Sequence, residues 1–207
     1  KIEKIYSACL DMDNEDFEVI TLHGSWARER HIQRHPVYLG KQNVSSNKGE
    51  SGHQEHPFMA LVTPETTQTT GRVYGMNFVY SGNFLGQVEQ TQFGAVRMVM
   101  GINQDEFCWN LKAGDSFQAP EVVMVFSGEG LGKMTRSYHD FYRKHMIRSP
   151  YRNKKRPILI NNWEATYFDF NTEKLLDIAR EAKKDGIEML VMDDGWFGER
   201  NSDDCSL

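Results

Sequence analysis

The chain has 207 residues, of which 26% are charged and 12% aromatic, and its formal net charge is −5. This composition is typical of an ordered globular protein of one or two domains and excludes a disordered chain. The acidic balance gives no electrostatic reason to expect nucleic acid or an anionic membrane as a partner. No apolar run approaches the about 18–20 residues that a membrane helix needs, so we expect no membrane segment.

The part of the chain up to about residue 126 favours β-structure. Residues 2–10 and 17–22 flank the turn sequence Asp13-Asn14-Glu15-Asp16, which predicts a hairpin. Further strands are predicted at residues 58–63, 72–81, 85–91, 95–102, 107–111 and 122–127. Many short strands separated by turn residues indicate an antiparallel β-sandwich.

Residues 31–56 are the one long segment without a clear period, and the stretch QNVSSNKGESGHQEH within it is polar. Loops of this length inside a domain are typically functional or disordered. The segment contains four of the histidines: His31, His35, His53 and His56. Their spacing matches no zinc pattern and no cysteine lies nearby, so we predict solvated loop histidines, no metal site and no cofactor.

The three cysteines, Cys9, Cys108 and Cys205, are odd in number and far apart in the sequence. This spacing predicts neither a disulfide framework nor a metal knuckle. A reduced, cytoplasmic setting is the simplest interpretation. Because Cys9 and Cys108 lie in strand-like runs, we expect both to be buried as small hydrophobic side chains.

A helix is predicted over residues 133–146, after Gly130-Leu131-Gly132. Its broad apolar face, typical of core packing, is formed by Met134, Tyr138, Phe141, Tyr142 and His145. The prolines of Ser149-Pro150 and Arg156-Pro157 then mark a boundary, because the residue before a proline is disfavoured in a helix. The predicted domains are therefore a sandwich at residues 1–128, a helical connector at 129–156 and a third region at 157–207.

The third region predicts a strand, a helix and a second strand. Residues 158–161 form the first, apolar strand, as expected for a strand that is buried on both faces. Asn171 and Thr172 are cap-type residues at the start of the helix, and Gly186 provides the left-handed stop. The second strand covers residues 187–192. A βαβ unit of this length predicts parallel strands with a right-handed crossover.

Trp163 and the pair Asp193-Asp194 follow the carboxyl ends of these two strands, where α/β proteins bind their ligands. An aromatic ring can cover the apolar face of a sugar while carboxylates accept hydrogen bonds from its hydroxyls. We therefore predict a sugar-binding site. The alternative is that the aspartates cap the next loop and that Trp163 and Trp196 only pack.

The two aspartates are poor candidates for a catalytic pair. Retaining glycosidases place two carboxyl groups about 5–5.5 Å apart, and inverting ones about 6.5–9.5 Å apart, on either side of one bond. Neighbouring strand residues point to opposite faces of the sheet. We assign Asp193 and Asp194 to substrate binding and name no catalytic residue in this chain.

The stretches NNWEATYFDF, LVMDDGWFG and RNSDD closely resemble the start of the catalytic barrel in the microbial, melibiase-type α-galactosidases of glycoside hydrolase family 36. The stretches HGSWARERHIQRHPVYLG and SGHQEHPFMAL resemble that family's N-terminal β-supersandwich domain. The resemblance covers nearly the whole chain. It departs at Cys205, where a small polar residue is more common, and at His56, where asparagine commonly precedes the proline.

The resemblance implies a multi-domain fold, in which an antiparallel β-supersandwich precedes the first βαβ of a truncated (β/α)8 TIM barrel. It implies retaining hydrolysis of terminal α-galactosides such as melibiose and raffinose by two aspartates, without a metal. In the family, the positions matching Asp193 and Asp194 hold the galactose hydroxyls, including those at C4 and C6. The position matching Trp163 forms part of the pocket wall.

The family's nucleophile lies in a Lys-Trp-Asp type motif on a later strand, and its acid/base aspartate lies further on. Neither occurs before Leu207, so we expect an internal piece of a longer enzyme that is inactive in isolation. The family's N-terminal domains contact neighbouring subunits near the active site. This implies a homo-oligomeric parent, a tetramer or dimer, in which Trp26, Arg28 and Arg30 help to shape a neighbour's pocket.

Two other functions stay open. An α-galactosyl transferase related to raffinose synthases shares much of the fold and uses a sugar instead of water as the acceptor. A non-catalytic carbohydrate-binding module would use the sandwich alone, and the βαβ end argues against it. Since two strands and one helix cannot cover their own apolar faces, we also expect exposed apolar surface, aggregation or local disorder beyond about residue 150.

Overall fold

The computed structural model describes residues 1–206, and the chain divides into two units between Met146 and Ile147. Nine strands lie in the described part of the first unit, in two antiparallel sheets with strand orders β1-β8-β7-β4 and β3-β2-β5-β6-β9. They are β1 (Tyr6–Met12), β2 (Glu18–Ser25), β3 (Arg28–Pro36), β4 (Gly40–Ser46), β5 (Glu55–Val62), β6 (Val73–Val79), β7 (Phe84–Gln90), β8 (Val96–Ile102) and β9 (Glu121–Ser127). The predicted antiparallel sandwich is confirmed. The predicted domain boundaries after residues 128 and 156 stay predictions.

The main core lies between the two sheets, and β5 shows how the sequence builds it. Met59 and Leu61 belong to the cluster shared with the other sheet, whereas Ala60 and Val62 belong to a second cluster on the opposite face. This is the two-residue period of a strand that is buried on both faces. The four-stranded sheet contributes Val44, Phe84, Val88, Val96, Met98, Met100 and Ile102 to the shared core.

Helix α1 (Gly130–Phe141) packs against the second face of the five-stranded sheet and is followed by a π-helical turn at Tyr142–Met146. Met134 and Tyr138 are buried there and Tyr142 packs against them, whereas His145, which was predicted to lie on the same face, is exposed. Gly75 permits this close approach, because a Cβ at that position would lie 2.8 Å from the Met134 sulfur. The helix thus starts three residues before its predicted first residue.

The predicted hairpin at residues 2–22 is wrong. Strand β1 pairs with β8, with Leu10 opposite Met98, whereas β2 pairs with β3 and β5 in the other sheet. The Asp13–Asp16 turn therefore joins two strands of different sheets. The same turn residues suit a hairpin and a connection between two sheets, and the packing of the β1 side chains against the core decides between the two.

The prediction of an irregular segment at residues 31–56 is also largely wrong, because it contains most of β3, all of β4 and the start of β5. Strand β3 is exposed along almost its whole length, so it carries no apolar period. Strand β4 does alternate, but two of its three buried residues, Gln42 and Ser46, are polar. Conversely, the predicted strand at residues 107–111 is reduced to one isolated bridge between Ile2 and Trp109.

Cys9 and Cys108 are exposed, so the prediction that they are buried is wrong. Cys9 lies between Ala8 and Leu10, which pack against the core, and strand alternation turns its thiol outward. The three cysteines are unpaired, and residues 1–206 contain no group of histidines, cysteines and carboxylates that could hold a metal ion.

The described part of the second unit contains the predicted βαβ arrangement, and its two strands are parallel, with Ile160 opposite Leu190. The elements are a 3-10 turn (Pro150–Asn153), β10 (Leu159–Asn161), α2 (Trp163–Thr166), α3 (Thr172–Lys184) and β11 (Met189–Val191). The Asn171 side chain accepts a hydrogen bond from Lys174 N at 3.0 Å, and Gly186 has φ +83°, so both predicted helix boundaries are confirmed. The four-residue helix α2 was not predicted.

Large apolar side chains of the second unit remain at the surface, as expected for strands without further neighbours. They include Ile158, Leu159, Leu176, Met189 and Met192. Aggregation or disorder of this region stays a prediction. Across residues 1–206, the helices are too short or too polar to cross a membrane.

Candidate functional site

The end of β10 holds two of the predicted site residues together through Asn161. The Asn161 amide nitrogen donates to Asp193 Oδ2 at 2.6 Å, and its Oδ1 accepts from the Trp163 backbone N–H at 2.8 Å. Asp193 follows β11 and Trp163 opens α2, so one side chain links the ends of both strands. The structure therefore places Trp163 and Asp193 at a common edge of the parallel pair, as the sequence predicted.

Asn162 fixes the same edge from the interior of the second unit and is 0% exposed. Its Oδ1 accepts from the Asp193 backbone N–H at 2.9 Å, and its Nδ2 donates to the Thr166 hydroxyl at 2.9 Å. Its own backbone N–H donates to the Val191 carbonyl at 3.3 Å. Sequence reasoning missed both asparagines, although two consecutive amide side chains at a strand end were a usable signal.

The Trp163 ring lies in a small aromatic group and is only half-buried. Tyr167 and Phe168 meet it edge-to-face, with centroid separations of 5.4 Å and 4.9 Å. Tyr167 has φ +46°, a left-handed conformation that ends α2 and reverses the chain toward Phe168. The ring is therefore braced at its edges and keeps part of its surface available to a ligand.

Asp194 has a different environment from Asp193. Arg200 Nε lies 3.0 Å from each of its carboxylate oxygens, and Arg200 Nη2 lies 2.8 Å from Oδ2. The hydrogen bond from Arg200 holds the pKa of Asp194 below its usual range, and the same pairing raises the pKa of Arg200. Asp194 is therefore an acceptor-only carboxylate at neutral pH.

The loop-capping alternative describes part of this geometry. Asp193 Oδ1 accepts from the Asp194 backbone N–H at 2.8 Å, and Asp194 Oδ1 accepts from the Gly195 N–H at 2.8 Å. Each aspartate thus caps the residue that follows it, but each also receives a side-chain donor, Asn161 or Arg200. Trp196 lies outside this network and is exposed, with its ring edge-to-face against Phe197.

Trp26 lies in the turn between β2 and β3, in the first unit, and Arg28 and Arg30 lie at the start of β3. Trp26 is 82% exposed, and Ala27 and Arg30 have φ values of +59° and +63°. The turn therefore displays its side chains to solvent instead of packing them on the sandwich.

Comparisons with known proteins show which family the chain resembles. Residues 1–112 match the family model of the glycosyl hydrolase family 36 N-terminal domain, and residues 116–207 match the melibiase model. Alpha-galactosidase AgaA of Geobacillus stearothermophilus is 52% identical over all of this chain and 28% of its own length. Alpha-galactosidase Mel36A of Lactobacillus acidophilus is 48% identical over all of this chain and 28% of its own length.

Solved structures give the same relationship. A crystal structure of AgaA in complex with raffinose matches with a TM-score of 0.95 and 52% identity, covering 97% of this chain and 28% of that one. The galactosidase domain of an alpha-galactosidase-sucrose kinase matches with a TM-score of 0.95 and 45% identity, over 97% of this chain and 28% of that one. The chain thus spans less than a third of the length of these relatives.

Proposed function

Because the chain belongs to glycoside hydrolase family 36, we propose that it is part of a retaining α-galactosidase. In this proposal its second unit supplies one wall of the galactose pocket, formed by Trp163, Asp193 and Asp194. The substrates are terminal α-galactosides such as melibiose and raffinose. Raffinose and stachyose are bound in crystal structures of the Geobacillus stearothermophilus relative.

The observation that carries the proposal is the Asn161 bridge between Asp193 and Trp163. A pyranose ring needs a flat apolar surface on one face and hydrogen-bond acceptors at its rim. Asn161 holds both the Asp193 carboxylate and the first residue of α2, Trp163, through its one side chain. Pre-organisation of this kind lowers the entropy cost of ordering the site when the sugar binds.

The two aspartates bind and do not cleave the glycosidic bond. Each already accepts a backbone N–H and a side-chain donor. A general acid needs a raised pKa, whereas the pKa of Asp194 is lowered. The nucleophile and the acid/base group of the parent enzyme therefore lie in its other segments.

Hydrolysis by the full-length parent tests this function. We expect release of the aryl group from an aryl α-galactoside and of galactose from raffinose, and no release from the β-anomer. The 207-residue chain, purified free of host glycosidases, serves as the inactive control. Failure on both α-substrates, with galactosyl transfer once an acceptor sugar is added, would replace the hydrolase by the transferase.

We also propose that the parent is a homo-oligomer in which the β2–β3 turn reaches a neighbouring subunit. The exposure of Trp26 beside two residues with positive φ, Ala27 in the turn and Arg30 at the start of β3, supports this arrangement. Arg30→Ala in the parent is expected to raise KM or to change the mass measured by light scattering. An unchanged KM together with an unchanged mass would contradict it.

A further inference from the structure

All three nitrogens of the Arg200 guanidinium group donate hydrogen bonds within the second unit. Nε and Nη2 face Asp194, while Nη1 donates to the carbonyls of Asp203 at 2.8 Å and Cys205 at 2.7 Å. The guanidinium carbon lies 5.8 Å from the Phe168 ring centroid, within cation–π range. The Arg200 side chain is only 10% exposed. The contacts with the Asp203 and Cys205 carbonyls therefore fix the orientation in which Nε and Nη2 face Asp194.

The free acceptor capacity of the two aspartates differs because of this contact. An ionised carboxylate offers about four acceptor directions. Asp194 already receives three protein N–H groups, from Arg200 Nε, Arg200 Nη2 and Gly195 N. Asp193 receives two, from Asn161 and from the Asp194 backbone. Asp194 thus retains about one free direction and Asp193 about two.

We propose that Arg200 is a positioning residue that aims the one free acceptor direction of Asp194 at a single galactose hydroxyl, while Asp193 takes the hydroxyls that remain. This inference rests on the proposed function, since it requires a sugar at Asp194. Arg200 does not touch the sugar and acts through the carboxylate. Its bidentate geometry fixes the plane of that carboxylate, which a single hydrogen bond cannot do.

A purely structural role would give Arg200 a different signature. The carbonyl contacts to Asp203 and Cys205 hold the loop that follows, and loss of these contacts alone would lower stability without involving Asp194. Two residues that act as one unit are instead non-additive. The coupling between Arg200 and Asp194 therefore separates the two roles.

A double-mutant cycle in the full-length parent measures this coupling, with kcat/KM for an aryl α-galactoside as the readout. Arg200→Gln is expected to lower kcat/KM by about 10- to 100-fold, as for the loss of a charge-assisted hydrogen bond. Arg200→Gln added to Asp194→Asn should lower it by no more than about twofold further. Arg200→Lys, which keeps the charge but not the fork, should fall between wild type and Arg200→Gln.

Arg180→Gln is the matched control, because Arg180 also donates to an aspartate, Asp177, at 2.7 Å but on the exposed surface of α3. It should leave kcat/KM unchanged. Thermal melting of every variant identifies any that fail to fold, and in that case the Arg200→Lys cycle replaces the Arg200→Gln cycle. Losses that multiply across the cycle, or Arg200 variants that match wild type, would overturn the proposal. An inactive wild-type parent would instead refute the proposed function.

Discussion

Leu61 and Leu159 each lie in a short apolar strand, yet Leu61 is 0% exposed and Leu159 is 47% exposed. Strand β5 lies in the interior of a five-stranded sheet, with a second sheet on one face and α1 on the other. Strand β10 has only β11 beside it. An apolar sequence therefore favours burial, but the number of neighbouring strands and helices decides how much of the side chain is buried.

The proposed site lies on the open unit, and this placement has a physical consequence. Few buried contacts surround β10 and β11, so the hydrogen bonds of Asn161, Asn162 and Arg200 supply the local order that packing supplies in the sandwich. Regions with few buried contacts open at low free energy. The comparison between the two units thus leads to predictions about both stability and the site.

The largest expected contrast is in amide hydrogen exchange of the 207-residue chain. Amides of β5 and β6 should exchange only through global opening, at a free energy of about 5–15 kcal/mol. Amides of β10 and β11 should open at a small fraction of that value, because their strands lack outer neighbours. Peptide-resolved mass spectrometry measures both regions in one sample.

The exchange experiment needs a monodisperse sample, since association would cover the exposed apolar face. Helix α3, which is exposed but hydrogen-bonded along its length, serves as an internal reference within the second unit. Equal protection of β6 and β11 in a monomer would contradict the contrast between a closed and an open unit.

The second prediction compares the same substitution in both units. Leu61→Ala should lower the free energy of unfolding by about 2–5 kcal/mol, because it leaves a cavity between the two sheets. Leu159→Ala should change it by about 0.5 kcal/mol or less, since half of that side chain already contacts water. Urea denaturation followed by circular dichroism measures both. A loss at Leu159 as large as that at Leu61 would show that β10 packs against further structure.

Sequence patterns predicted the elements whose burial follows a regular period. Strands β5 to β9 and the βαβ unit were found because their apolar residues repeat at strand or helix spacing or form short continuous runs. Strands β3 and β4 were missed, since β3 is exposed and the buried positions of β4 include Gln42 and Ser46. The pairing of β1 with β8 depends on contacts about ninety positions apart, which no local pattern contains.

The sequence predicted three residues of the candidate site and missed the residues that hold them. Trp163, Asp193 and Asp194 were predicted because strand ends in α/β proteins bind ligands. Asn161, Asn162 and Arg200 were missed because their roles depend on partners in space. The contact between Arg200 and Asp194 could not be predicted from their separation of six residues, since the loop that joins them can turn toward or away from Asp194.

The third prediction tests whether polar contacts replace packing in the open unit. Asn162→Ala should destabilise the second unit by about 1–3 kcal/mol, because the Asp193 N–H and the Thr166 hydroxyl lose their partner. Asn161→Ala is the matched control at an exposed position and should cost less stability. Hydrogen exchange of β11 is the measurement. Equal effects of the two substitutions would mean that Asn162 is not the interior anchor of this edge.

The smallest expected effect is the loss of stability at low pH, which should begin at a higher pH in the first unit than in the second. All seven histidines lie in the first unit. Burial lowers the pKa of His56, nearby Arg30 lowers it further and Glu29 opposes this, and its Nε2 has no hydrogen-bond partner among residues 1–206. The unfolded chain, with a histidine pKa of about 6.5, therefore binds more protons than the folded sandwich.

Stability of the sandwich should consequently fall as the pH drops below about 6.5 toward the lower folded pKa of His56. Asp194 in the second unit also has a lowered pKa, but the stability that it contributes is present above about pH 3.9 and is lost only at lower pH. Thermal midpoints at about pH 7.5 and about pH 5.5 should therefore differ less in His56→Asn than in wild type. The exposed His53→Asn variant should keep the wild-type difference. If His56→Asn also keeps it, the half-buried imidazole of His56 is not the group that makes the first unit sensitive to mild acid.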